Sequence, residues 1–289
     1  MKYFLKVNQD KVSTNLEFKD SEKIIVNVEK SGQLEMEITN PSKIITLVFA
    51  KDTKVNITKV LNFTEGKDEK INIEYLLNTY SNVNEFLTTI DSNASVDYAF
   101  KAVLSDYAVL EISNGQFSDT SSKFDIEINL NGVNSKALHN IAAISRLNQE
   151  KVYNVTINNN ARETYGELNN FGVVKNEAKL IFNGTGYIKN GAKQSIAHQA
   201  SKIITFDPNV EAQANPFLII DEADVEASHA AAVGQMDEEQ LFYLQSRGLD
   251  SEHASKLITY GYLKPILTKI SDDSLKKQLE KLIEEKVGL

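Results

Sequence analysis

The sequence predicts a mainly β protein that ends in a small α-helical domain. Three observations carry this reading. From about Lys23 to Val225 apolar residues alternate with polar ones or gather in short β-branched runs, the signature of strands. Clusters of Asn, Asp, Ser and Gly separate those runs. Beyond His229 the periodicity turns helical and carries capping signals.

The strands come first along the chain. Leu34, Met36 and Ile38 alternate with Glu35, Glu37 and Thr39, which puts one apolar face inward. The same alternation recurs at Val55 to Ile57, Ile71 to Ile73, Phe124 to Ile128 and Val152 to Ile157. Glu85 to Ile90 and Lys136 to Ser145 read as helical exceptions. Strands spaced by roughly 10 to 15 residues suit a sandwich, a barrel or a solenoid, and alternation alone does not choose among them. Composition favours a sandwich or barrel, because no strict period marks a repeat.

The helices follow. In Met236-Asp237-Glu238-Glu239-Gln240-Leu241, Asp237 is an N-cap, Gln240 its capping-box partner, and Met236 faces Leu241 as a hydrophobic staple. Such a cap is worth about 1 kcal/mol. The first helix is expected over Glu238 to Arg247, with Gly248 as its left-handed stop. A second is expected from near Ser251 to Tyr260, capped by Asp250 and stopped by Gly261. A short third spans Leu263 to Lys269, with Pro265 in its first turn. The last begins after Ser271 and carries Leu275, Leu279, Leu282 and Ile283 as one stripe on a charged rod.

Composition narrows the function. Lys and Arg number 31 against 40 Asp and Glu, a net charge of -9, which repels nucleic-acid phosphates. No apolar run is long enough for a membrane span, and residues 1–12 lack a signal-peptide core, so a cytoplasmic location is expected. With no cysteine, the chain by itself offers no disulfide, thiolate metal site or thiolate-held cluster. It also lacks a phosphate loop, a Gly-x-Ser-x-Gly elbow and a His-Glu-x-x-His pair, so it is expected not to be an enzyme. The Gly184-Thr185-Gly186 run reads as a solenoid corner rather than a dinucleotide loop. His139, His198 and His253 read as structural or solvated, and the seven acids between Asp221 and Ser246 as a solvated face.

Two stretches then identify a family. Val225-Glu226-Ala227-Ser228-His229-Ala230-Ala231-Ala232-Val233-Gly234-Gln235, with the segment Asp237 to Gly248, resembles the signature of the SufB/SufD scaffold proteins of the SUF iron-sulfur cluster assembly system. In that family a final core strand ends in a Ser-His turn and a Phe-Tyr-Leu-x-Ser-Arg-Gly helix follows. Upstream, Phe182 to Ile188, Gly191 to Gln194, Gln199 and Pro216 to Ile220 resemble the last turns of the family's core. The lack of cysteine makes the resemblance SufD-like. Ala227 stands where relatives often have cysteine, Ala231 departs from a common His-Gly-Ala-Thr pattern, and the chain looks like a short form without the usual N-terminal helical extension.

The resemblance implies a right-handed parallel β-helix core over 1–228 and a C-terminal helical domain over 229–289. It implies a non-catalytic scaffold that pairs with a SufB-like subunit or with itself and docks the ATPase SufC through that helical domain. Ser228 and His229 then belong to the dimer interface. His229 could also complete an iron site whose thiolates come from the partner, or be a plain interface residue. The cluster is expected to be assembled with the partner and not held by the isolated chain. Phe242, Tyr243 and Arg247 are the expected ATPase-docking side chains, since consecutive large residues on one helix cannot all face a single core stripe. A carbohydrate-active or carbohydrate-binding β-solenoid is the alternative, and it would call for secretion and usually for clustered acids or basic residues on one β-face.

Overall fold

Successive strands of the core go to two different sheets, so each sheet is built from every second strand. The computed structural model describes residues 1–9, 11–62, 69–89, 95–270 and 272–287. The first sheet holds β1 (Lys2–Asn8), β2 (Lys11–Thr14), β5 (Gly32–Thr39), β7 (Lys54–Asn62), β9 (Asn82–Thr89), β11 (Val109–Gln116), β13 (Lys136–Ser145), β15 (Tyr165–Val174), β17 (Ser195–Thr205) and β19 (Val225–Gln235). The second holds β3 (Glu17–Asp20), β4 (Lys23–Val28), β6 (Ile44–Phe49), β8 (Glu69–Leu77), β10 (Val96–Leu104), β12 (Ser122–Leu130), β14 (Glu150–Asn159), β16 (Lys179–Ile188) and β18 (Glu211–Ile220). Apart from β1 with β2 and β3 with β4, every pairing among the described residues is parallel, and the chain winds as a β-solenoid of about eight turns, neither a sandwich nor a barrel.

Register turns the alternation into files of side chains along the axis. Inside, Tyr98, Phe124, Tyr153 and Phe182 stack coil on coil with ring centroids 5.1, 5.2 and 5.6 Å apart. Outside, Asn154 donates to Asp125 at 2.7 Å, Asn183 to Asn154 at 2.7 Å, and Asn215 to Asn183 at 2.9 Å. Each coil is therefore held to the next by backbone ladders, an apolar stack within and an amide ladder without.

The two ends of the solenoid differ. At the first end β2 and β3 lie antiparallel on β1 and β4 and close both sheets with four-residue strands carrying Lys11, Glu17, Lys19 and Asp20. Short charged edges of this kind resist pairing with another chain. At the other end β18 and β19 are the outermost strands, and they have no such cover among the described residues.

Two expected helical stretches are strands. Lys136–Ser145 is β13, and Glu85 to Thr89 lies in β9, with Ile90 outside the described residues. The reason is burial on both faces. In β13, Ala137, Ile141 and Ala143 face the lumen while Ala142 and Ile144 are covered by the C-terminal helices, so the apolar pattern loses its period of two. Gly184-Thr185-Gly186 lies inside β16 rather than at a corner.

The helices are α1 (Glu238–Ser246), α2 (Ser251–Leu263), a 3-10 helix (Lys264–Lys269) and α3 (Asp273–Val287). Asp237, Asp250 and Asp272 cap the three α-helices through their carboxylates. Gly248 ends α1 at φ +97, as expected, but α2 runs through Gly261 to Leu263. Burial of Leu263 outweighs a glycine penalty of about 1 kcal/mol. Leu263, Ile266, Leu267, Leu279, Ile283 and Val287 pack onto Phe86, Phe117, Ala142, Ile144 and Val173 on the outer face of the first sheet. Among the described residues no helix is long and apolar enough to cross a membrane.

Candidate functional site

The uncovered end of the solenoid is long and apolar. β19 runs for 11 residues, through His229 to Gln235, and carries Ala227, Ala230, Ala231, Ala232 and Val233. Beside it Phe217, Ile219 and Ile220 of β18 are 53, 50 and 42% exposed, and Val233 is 44% exposed. An exposed edge of this length and composition is a template for another strand.

Alternation sends Ser228 and His229 to opposite faces of β19. Ser228 pairs in register with His198 on β17, and its Oγ lies 2.7 Å from His198 Nδ1 on the outer face. His198 Nε2 lies 3.6 Å from Glu226 Oε1, and Tyr165 meets the imidazole edge-on at 6.0 Å. Burial, reinforced by the neighbouring Glu167 carboxylate, pushes the Tyr165 hydroxyl up to about 12. His198 thus ties the last two coils of the sheet together, a role that a reading of isolated histidines did not reveal.

His229 is the last member of a lumenal file. Register runs from Leu34 through Ile57, Glu85, Ile112, His139, Leu168 and Gln199 to His229. Its neighbour Gln199 is buried and donates through Nε2 to the Phe217 carbonyl at 2.8 Å, reaching across the lumen from β17 to β18. Gly184 and Gly186 make room for it. A Cβ on the first would come within 2.9 Å of Gln199 Oε1, and on the second within 2.9 Å of Nε2. The pair of glycines two apart in a strand was the sequence signal of a close approach.

The second candidate surface is α1. Asp237 accepts from the backbone N–H of Glu239 at 2.9 Å and of Gln240 at 3.4 Å, so the predicted cap is formed. The Gln240 side chain, expected to complete a capping box, accepts from the Tyr262 hydroxyl at 3.4 Å. No residue of α1 is buried, and Phe242 and Tyr243 are 72 and 57% exposed. The Arg247 guanidinium lies 5.3 Å from the Tyr243 ring centroid, which joins the two into one cationic-aromatic feature. Among the described residues no group of three or more His, Asp or Glu side chains could hold a metal ion.

Residues 24–262 match the family model described as "SUF system FeS cluster assembly, SufBD core domain". The chain is 35% identical over 178 residues to the iron-sulfur cluster assembly protein SufD of Bacillus subtilis, a match covering 62% of this chain and 41% of that protein. It is 30% identical over 107 residues to SufD of Escherichia coli, covering 37% of this chain and 25% of the relative. An iron-sulfur cluster assembly SufBD family protein of Pyrococcus horikoshii is 35% identical over 114 residues, covering 39% and 24%. The chain thus spans less than half the length of each of these relatives.

Proposed function

Because this chain belongs to the SufBD core family of the SUF iron-sulfur cluster assembly system, we propose that it is a non-catalytic scaffold subunit that pairs through β18 and β19 and docks a SufC-like ATPase through α1. The observation that carries the reading is the asymmetry of the solenoid: short, charged strands close one end, and a long apolar edge bearing His229 is left at the other. The partner strand comes from a SufB-like subunit or from a second copy of this chain.

The cluster is cargo built at that junction. A neutral imidazole is a competent iron ligand, and a chain without cysteine supplies no thiolate, so His229 contributes a nitrogen while the partner contributes sulfur. The free chain then holds no stable cluster, and ATP hydrolysis belongs to the docked ATPase, which meets Phe242, Tyr243 and Arg247.

Sedimentation of the full chain with a SufB-like subunit tests the pairing. Ala231→Lys places a charge on the outermost strand and should abolish the complex while the monomer keeps its circular dichroism spectrum. An intact complex in that variant would remove β19 from the interface.

A further inference from the structure

We propose that the cleft between the outer face of the first sheet and the segment running from α2 into the 3-10 helix binds an uncharged, largely apolar small molecule, gripped through one carbonyl or hydroxyl oxygen. None of its lining residues belongs to β18, β19 or α1, so the site goes beyond the scaffold reading and stands without it.

The cleft has a volume of about 460 Å³, within the roughly 300–1,000 Å³ that small-molecule sites occupy. Register sets its floor: Ser113 of β11 lies beside Asn140 of β13, and Ala142 of β13 beside Phe171 of β15. Tyr262 and Ile266 form the facing wall. The Tyr262 hydroxyl accepts from Lys202 Nζ at 2.7 Å, which holds the ring in the wall rather than leaving it free to drop into the space. Gly261 stands at the rim. No described atom lies within 4 Å of where its Cβ would be, so packing does not require a glycine there, although a glycine inside a helix is destabilising.

The polar groups select the ligand. Ser113 lines the cleft and is 1% exposed, and its Oγ has no hydrogen-bond partner among the described residues. A buried hydroxyl left unsatisfied is destabilising where an alanine would not be, so a ligand that bonds it gives the serine a use. Beside it, Asn140 Oδ1 accepts from Asn169 Nδ2 at 3.1 Å, which leaves the Asn140 NH2 group as a donor. A hydroxyl and an amide side by side make a pair of donors for a single oxygen. Charge narrows the choice further. The charged lining residues, Lys269 and Glu111, pair at 2.6 Å and offset one another, and the chain's net charge of -9 repels anions. Apolar surface from Ala142, Phe171, Tyr262 and Ile266 supplies the affinity, and the two donors supply the orientation.

The test titrates the full chain with three probes that share one fused-ring body: 2-naphthol, naphthalene and 2-naphthoate. Probe fluorescence at pH 7 reads affinity, and the Ala142 methyl signal in alanine-labelled protein reads location. 2-Naphthol should saturate one site, shift the Ala142 methyl and bind about fivefold more tightly than naphthalene, the worth of one ordinary hydrogen bond. 2-Naphthoate should bind most weakly. Ser113→Ala should weaken 2-naphthol about fivefold and leave naphthalene unchanged. Ser113→Leu should fill the cleft and abolish both, without lowering the thermal unfolding midpoint. Phe171→Ala, at a partly exposed position, should weaken both uncharged probes by about fivefold and keeps the test alive if the leucine variant does not fold. Absence of saturable 2-naphthol binding, or binding unchanged in the Ser113→Leu and Phe171→Ala variants, overturns the site. Equal affinity for 2-naphthol and naphthalene, or tightest binding of 2-naphthoate, overturns the proposed ligand class.

Discussion

Lys59 Nζ lies 2.8 Å from Glu85 Oε1, with both side chains fully buried in the solenoid lumen. The Lys59 ammonium also donates to the Tyr98 hydroxyl at 3.2 Å and stands over the Tyr75 ring at 4.7 Å, while the Tyr75 hydroxyl donates to the other Glu85 oxygen. Burial pulls Lys59 below its ordinary value, opposed by the Glu85 charge, and pushes both phenols well above theirs, so both stay neutral, Tyr75 donating to Glu85 and Tyr98 accepting from Lys59. Glu85→Ala strands a buried cation and should cost about 3–5 kcal/mol. The double change Lys59→Met with Glu85→Leu should recover most of that loss, since both charges leave together. Urea unfolding midpoints of the two single variants and the double variant measure the coupling; strictly additive costs would show that the pair does not act as a unit.

His139 lies two coils from Glu85 in the same file, between Ile112 and Leu168, and neither of its ring nitrogens has a hydrogen-bond partner among the described residues. Burial lowers its pKa to about 3 from the ordinary 6.5. Between those values the unfolded chain binds a proton that the folded chain refuses. Stability is therefore complete above about pH 6.5 and is lost as pH falls toward 3, at about 1.4 kcal/mol per pH unit. His139→Leu should stabilise the protein by about 1 kcal/mol at pH 7 and should flatten this acid slope. Chemical unfolding at pH 7, 6 and 5 checks both statements, and an unchanged slope would show that another group carries the acid sensitivity.

The repeat was present in the sequence but written in backbone conformation. Asp52, Tyr80, Tyr107, Asn134, Glu163 and Gln194 occupy equivalent corners and all have φ near +60. Each precedes a small buried residue: Thr53, Ser81, Ala108, Ser135, Thr164 and Ser195. Thr53, Ser81, Ser135 and Thr164 donate their hydroxyls to the carbonyl three residues earlier. The coils differ in length and the left-handed position accepts Asp, Tyr, Asn, Glu or Gln, so no residue-type period shows. Alternation of apolar residues was legible wherever one face of a strand meets solvent, and failed in β9 and β13 where the helices cover the outer face. The capped start of α1 was legible because its chemistry is local. The Ser228 to His198 contact was not, because it depends on a register about 30 residues long.

Asp119 fastens the helices to the solenoid. It accepts from Arg146 Nε at 2.7 Å and from Gln149 at 3.0 Å, and it pairs with Lys286 near the end of α3. Burial raises its pKa, but hydrogen bonds from Arg146, Lys286 and Gln149 outweigh that and hold it well below the usual carboxylate range. The stabilisation it supplies is present above about pH 4 and is lost only as pH falls further, through the depressed value. Asp119→Ala leaves Lys286 with little solvent and without this partner, and should cost about 2 kcal/mol, expressed as loosening of α3. Hydrogen exchange reads it directly: amides of α3 should exchange faster while those of β12 and β14 hold. Equal acceleration throughout the core would mean that Asp119 supports the solenoid rather than the latch.

The last prediction separates the two proposed surfaces. Phe242, Tyr243 and Arg247 stand exposed on α1, which begins three residues beyond β19 and buries none of its own side chains. His229 sits at the open end of the lumen, on a different element, in register with Gln199. Exposed aromatic and Arg side chains are common binding anchors, and truncating a true anchor costs at least about 2 kcal/mol, roughly thirtyfold in affinity. Tyr243→Ala also removes the ring beneath Arg247, so it and Arg247→Ala should each weaken ATPase binding, and their effects should be less than additive because each loses the same cation-π contact. Neither should disturb stability, since both side chains lie outside the packed clusters. His229→Ala should leave ATPase affinity unchanged and slow cluster assembly. Calorimetric titration of the ATPase into each folded variant decides: unchanged affinity in both α1 variants, or lost affinity in the His229 variant, would reverse the assignment of the two surfaces.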